Sequence, residues 1–156
     1  LGRFEGLNNE PDMESPYAYI YAGRHDRACE VIRAGLNQCY GDSRGGLVGN
    51  DDSGGMSSWY VWSALGLFPV AGQDVFLIGS PLFEQAKVQF GPEQAFTIET
   101  SAGGSESAYV ATVLLNGSPL CRPFLQWKDL CLGGTLSVEM TSTPSVWTKE
   151  RPPSIV

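Results

Sequence analysis

Apolar residues recur at helical spacing through the first part of the chain and at strand-like spacing beyond it. Ala28, Val31, Ile32, Leu36, Cys39 and Tyr40 fall three and four positions apart, which predicts an amphipathic helix that Gly41 stops and that turns Asp26, Glu30 and Arg33 toward water. Before it, residues Pro16 to Ala22 read as a short helix ended by Gly23, with Ser15 as N-cap, and Tyr17, Tyr19 and Tyr21 either join the core or line a sugar pocket. His25 falls in the connecting turn and reads as structural or solvated. Met56, Trp59, Tyr60, Val61, Trp62, Ala64, Leu65 and Leu67 cover nearly a full helical circumference, so a third helix is expected to be buried on all sides and closed by Gly66 and Pro69. The period then shortens. Runs at Val75 to Ile78, Ala86 to Phe90, Ala95 to Glu99, Tyr109 to Leu115 and Thr135 to Met140, separated by turn residues, predict short strands. Asn116-Gly117-Ser118 matches a glycosylation sequon, but Asn-Gly between two strand patterns is better read as a hairpin turn. The fold class is mixed α and β: helices over residues 1–70 and an antiparallel β segment over 71–156.

Charge narrows the partners. Seventeen acidic residues against ten basic ones give a net charge of −7 with no Lys/Arg cluster, which argues against nucleic acid or an anionic membrane surface and favours a neutral ligand. Cys29, Cys39, Cys121 and Cys131 lie too far apart for a zinc motif and only one histidine is present; each pair is ten apart, so local disulfides are conceivable, but Cys29 and Cys39 fall on one helix pattern and buried free thiols are the default expectation. No apolar run reaches membrane-spanning length. Leu1-Gly2-Arg3-Phe4 has neither a start methionine nor a signal pattern, so the chain reads as cut from something longer.

Two acidic stretches carry the candidate chemistry. In Gly49-Asn50-Asp51-Asp52-Ser53-Gly54-Gly55 a pair of carboxylates stands among glycines just ahead of the third helix, where free N–H groups and the helix dipole stabilise negative charge. An N-cap with one additional acid accounts for the same pattern. Asn8-Asn9-Glu10-Pro11-Asp12-Met13-Glu14-Ser15-Pro16 gathers carboxylates and amides in a segment kept from being helical by its prolines. Such a loop offers oxygen ligands to a hard cation or is simply a solvated cap for the next helix, and its spacing is not that of an EF-hand.

Four groups of residues resemble the calcium-dependent α-mannosidases of glycoside hydrolase family 92. They are Asn9-Glu10-Pro11 with Pro16-Tyr17 and Tyr21-Ala22-Gly23; Gly49 to Gly54 with Met56-Ser57 and Trp59-Tyr60; Ala64 to Val70 with Ile78 to Phe83; and Leu115-Asn116-Gly117. The tail, Gly133-Gly134-Thr135-Leu136 through Thr143-Pro144-Ser145 and Trp147, also fits. The resemblance implies that the helical part belongs to an (α/α)6 barrel, that the closing strands belong to the same catalytic domain, and that the chain is the C-terminal part of a larger secreted or extracellular enzyme, periplasmic if bacterial, with an N-terminal β domain. It implies an exo-acting, inverting enzyme that removes terminal α-linked mannose from glycans with the help of Ca2+.

Residue by residue, the resemblance makes Asp52 the general base, with Asp51 beside it, Asn50 and Glu14 as substrate contacts, and Glu10 and Asn9 as calcium ligands. An inverting glycosidase also needs an acid for the leaving oxygen, and no segment of the chain matches the family's glutamate. Met13-Glu14 stands where many relatives carry a histidine pair, and Ser53 and Gly55 replace a cysteine and a glutamine, which leaves linkage preference open. A binding or structural module that has lost catalysis, or a different helical-barrel glycosidase, are the competing expectations.

Overall fold

The computed structural model describes residues 7–101 and 107–154; the reading of Leu1 to Phe4 lies outside these. A 3-10 turn at Glu10–Asp12 leads into α1 (Ser15–Tyr21) and α2 (His25–Gln38); a second, at Asp52–Gly54, leads into α3 (Gly55–Leu65). Strands β1 (Leu67–Pro69), β2 (Phe76–Ile78), β3 (Gln85–Gln89), β4 (Ala95–Ser101), β5 (Tyr109–Leu115), β6 (Ser118–Pro119), β7 (Phe124–Leu125) and β8 (Gly134–Thr141) follow, with a single-turn helix α4 (Trp127–Leu130) between the last two. They form a three-stranded sheet of order β1-β2-β7 and a five-stranded sheet of order β3-β4-β8-β5-β6.

The strand pairing departs from the expected antiparallel segment at one place. β8 inserts between β4 and β5 and runs parallel to β4, with Phe96 opposite Gly134 and Ile98 opposite Leu136, while all other pairings are antiparallel. The connection through β5, β6, β7 and α4 supplies the long crossover that a parallel pair requires. Alternation along β4 sends Phe96 and Ile98 into the interior and Glu99 to the surface. Between β5 and β6, Asn116 and Gly117 both have positive φ, 50° and 79°, and form the hairpin turn that the Asn-Gly pair predicts.

Two apolar clusters result. One lies under the five-stranded sheet and includes Phe96, Ile98, Val113, Leu136 and Val138; the other gathers Tyr17, Ile20, Ile32, Leu36, Trp59 and Phe68 among the helices. α2 serves both, through Cys29 on the sheet side and Ile32 on the helix side. Glu30 faces water as expected, but at Asp26 and Arg33 this double burial overturns the expectation for the polar face. Asp26 is buried and held by two Arg24 hydrogen bonds of 2.9 and 2.7 Å, and Arg33 donates to Pro81 O at 2.5 Å and to Ser80 Oγ. His25 is likewise the buried first residue of α2 rather than a turn residue.

The third helix is less enclosed than its composition suggests. Met56, Trp59, Ser63 and Ala64 are buried, whereas Val61 is 56% exposed. Gly66, at φ 79°, ends α3 as expected, but the following residues turn directly into β1. All four cysteines are free, and only Cys29 is buried.

Candidate functional site

The two acidic stretches meet across a glycine. Gly49 has φ 60°, and a Cβ there would overlap the Asn8 carbonyl, so the loop before α3 can lie against the loop before α1 only with glycine at this position. The contact continues at Asp52, whose backbone N–H donates to Glu10 Oε1 at 3.2 Å, and at Gly55, where a Cβ would stand 3.1 Å from Glu10 Cγ. From the other side, the buried Trp59 donates its ring N–H to Met13 O at 3.0 Å. α3 thus holds the Asn9 to Glu14 segment at both ends.

Within the aspartate pair the roles divide. Asp51 accepts from Ser57 N through Oδ1 at 2.9 Å and from Ser57 Oγ through Oδ2 at 2.7 Å, which ties it to a free amide in the first turn of α3. The Ser57 hydroxyl and amide hold its carboxyl below the usual carboxylate range. Asp52 faces solvent, and its carboxylate makes no hydrogen bond among the described residues. The backbone after it is bent sharply: Ser53, at φ 54°, and Gly54, at φ 75°, are both left-handed before α3 begins. Asn50 is exposed beside the pair.

A cleft of about 530 Å³ adjoins Glu10. Its walls are Met13, Gly55, Trp59, Trp62, Phe68 and Pro69, with Glu10 and Glu14 as the charged lining residues. Asp51, Asp52, Asn50 and Asn9 do not line it; Asp52 is joined to it through the hydrogen bond from its backbone N–H to Glu10 Oε1. Ser57, which fixes Asp51, and the wall residues Trp62 and Phe68 were not singled out as functional in the sequence. Ser57 lies at the third position of α3, where a side chain can meet a carboxylate ahead of the helix, and that was the available signal.

Glu10 and Asn9 carry hard oxygen donors, which suit calcium in kind. Calcium takes about six to eight oxygens. Among the described residues no group of three or more His, Cys, Asp or Glu is gathered for a metal, so these residues fit as part of a shell that other oxygens must complete. No helix among the described residues is long and apolar enough to cross a membrane.

Comparison with known proteins gives this arrangement its context. A family GH92 α-mannosidase from Bacteroides thetaiotaomicron, solved in complex with mannoimidazole, superposes with a TM-score of 0.90 at 29% identity, covering 95% of this chain and 20% of that one. A family GH92 inverting mannosidase from Bacteroides thetaiotaomicron VPI-5482 gives 0.84 at 30% identity, covering 92% and 20%. An uncharacterized secreted glycosidase of Arthroderma benhamiae is 30% identical over 155 residues, 96% of this chain and 20% of the relative. The chain therefore spans about a fifth of the length of these relatives. The model of the glycosyl hydrolase family 92 catalytic domain matches residues 4–142, and with it the chain is placed: it belongs to glycosyl hydrolase family 92.

Proposed function

We propose that this chain is the base-bearing part of an exo-acting, inverting, calcium-dependent α-mannosidase that removes terminal mannose from extracellular glycans. The division between the two aspartates carries the reading. Inversion needs a carboxylate able to take a proton from water on the face opposite the leaving oxygen. Asp51 is already held by two donors, whereas Asp52 keeps its carboxylate open to solvent. Asp52 is the general base, and Asp51 fixes the start of the helix behind it.

The remaining roles follow from position. Asn50, beside the base, and Glu14, in the cleft, meet sugar hydroxyls, while Glu10 and Asn9 contribute to the calcium shell. Calcium, when bound, supplies positive charge that gathers sugar hydroxyls and favours a flattened ring. Glu10 also accepts the Asp52 amide, so the same carboxylate that would hold the cation steadies the loop bearing the base. The general acid comes from another part of a longer parent. The similarity to two bacterial mannosidases, one of them described as inverting, and to a fungal glycosidase described as secreted, supports substrate, stereochemistry and compartment.

The test is mannose release from α-1,2-linked mannobiose by the complete parent protein, with calcium and after chelation, the product anomer being followed by NMR. Calcium-dependent appearance of β-mannose is expected; α-mannose as first product, or no release in either condition, rejects the reading.

A further inference from the structure

The turn that presents Asp52 is held in an unfavourable backbone conformation by ties at its ends. Gly54 N closes it on Asp51 O at 3.0 Å, and Ser53, at φ 54°, occupies a left-handed region that is open to glycine but disfavoured for a residue with a side chain. Something outside the turn must offset that cost. The bond from Asp52 N–H to Glu10 Oε1, at 3.2 Å, stands at the long end of the ordinary range. Asp51 is tied more tightly: Ser57 meets both of its carboxylate oxygens, through Oγ at 2.7 Å and the backbone amide at 2.9 Å, and bonds to an ionised acceptor are the stronger kind. Ser57 in turn stands on a rigid support. The hydroxyl of Tyr40, just beyond α2, donates to Met56 O at 3.1 Å, and the buried Trp59 is stacked on Tyr40 with ring centroids 5.7 Å apart. Asp52 has no comparable support for its own side chain: its carboxylate makes no hydrogen bond among the described residues, so the backbone of the turn sets where it points.

We propose that Ser57 is a positioning residue for the general base: its hydroxyl, acting through Asp51, keeps the Asp51–Gly54 turn in the form that aims the Asp52 carboxylate. The inference rests on the reading of Asp52 as that base. A general base must lie within hydrogen-bond reach of the water it activates, and a misplacement of about 1 Å can lower the rate by up to about 10²-fold. Ser57 and Asp51 lie outside the lining of the cleft, so loss of their contact bears on the alignment of the base more than on substrate binding. Replacing Ser57 by alanine removes the hydroxyl bond alone, since the backbone amide still reaches Asp51 Oδ1 and alanine suits a helix. Threonine keeps a hydroxyl on the same carbon.

The experiment compares the complete parent enzyme with its Ser57→Ala and Ser57→Thr variants. Kinetics on α-1,2-mannobiose read the base, and hydrogen exchange followed by mass spectrometry reads the peptide that spans the Asp51–Gly54 turn. In Ser57→Ala, kcat is expected to fall by about tenfold with a much smaller change in KM, and the turn to exchange about tenfold faster. Ser57→Thr is expected to restore most of both. The split between kcat and KM and the rescue by threonine separate alignment of the base from a general loss of stability. An unchanged kcat in Ser57→Ala, an equal loss in Ser57→Thr, a loss that falls on KM, or a lowered kcat without faster exchange in the turn overturns the proposal. If the unaltered enzyme releases no mannose, the mannosidase reading fails and exchange alone decides the role of Ser57: faster exchange in Ser57→Ala that Ser57→Thr restores sustains its hold on the turn, and exchange unmoved by Ser57→Ala overturns it.

Discussion

Asp51 and Asp52 are chemically identical neighbours separated by what their carboxylates touch. In the parent enzyme, Asp52→Asn is expected to lower kcat by roughly 10²–10⁴-fold with a much smaller change in KM, because it removes proton acceptance and little of the binding surface. Asp51→Asn is expected to act differently: the urea midpoint falls as the tie to Ser57 weakens, and the loss of turnover is smaller. Steady-state kinetics and urea titration of both variants check the pair, and the reverse pattern would exchange the two roles. Gly49→Ala should destabilise by about 1–3 kcal/mol, since it adds a Cβ to a left-handed residue seated on the Asn8 carbonyl. The pair itself was legible in the sequence as a glycine-flanked motif before a helix. The choice of Ser57 as partner to Asp51 was not, because it depends on how the Asp52–Gly54 turn folds the carboxylate back over α3.

At the level of elements, α2 shows how a surface-like pattern can hide an internal junction. His25 Nε2 lies 2.8 Å from Ile78 O, and Trp147 donates its ring N–H to Nδ1 at 3.2 Å. Because the indole can only donate, Nδ1 is the acceptor and Nε2–H donates to the carbonyl, so the ring is neutral and joins α2, β2 and the C-terminal segment. Burial pushes its pKa down to about 4 from 6.5. A base with a depressed folded pKa contributes its stability fully above pH 6.5, and that contribution is lost as pH falls toward 4. Urea titrations between pH 7 and pH 4 should therefore show a loss that includes roughly 3 kcal/mol from this group. His25→Phe should remove that slope while lowering stability throughout. The hairpin between β5 and β6 gives a second test: Asn116 occupies a left-handed conformation and its Oδ1 accepts Thr135 N at 2.8 Å, so Asn116→Ala should cost about 1–2 kcal/mol.

For the molecule as a whole, the consequence concerns completeness of the site. It presents a candidate base, two candidate calcium ligands and a candidate sugar cleft, but no segment matching the motif of the family's acid, while its relatives are about five times longer. The isolated 156-residue chain is accordingly expected not to hydrolyse mannosides efficiently. Robust turnover by the purified chain, abolished by Asp52→Ala, would contradict this. In the complete parent, Glu10→Gln should weaken calcium affinity and activity together, as calorimetry and kinetics would show; unchanged metal dependence would remove Glu10 from the calcium shell.

The amino-acid sequence alone determined the three longer helices, five of the eight strands, the Asn116-Gly117 turn and the family, because periodicity, turn chemistry and contiguous motifs are written in neighbouring residues. Its local pattern left undecided what depends on long-range packing. The parallel insertion of β8 beside β4, the burial of His25 and Asp26 and the docking of the half-buried Arg33 on Pro81 O arise from surfaces distant in the chain. So does the meeting of Glu10 with the Asp52 amide, which Gly49 and Gly55 permit by leaving space that any side chain would fill. Hydrophobic period records which face of an element is apolar; what covers the opposite face is settled only when the chain is packed.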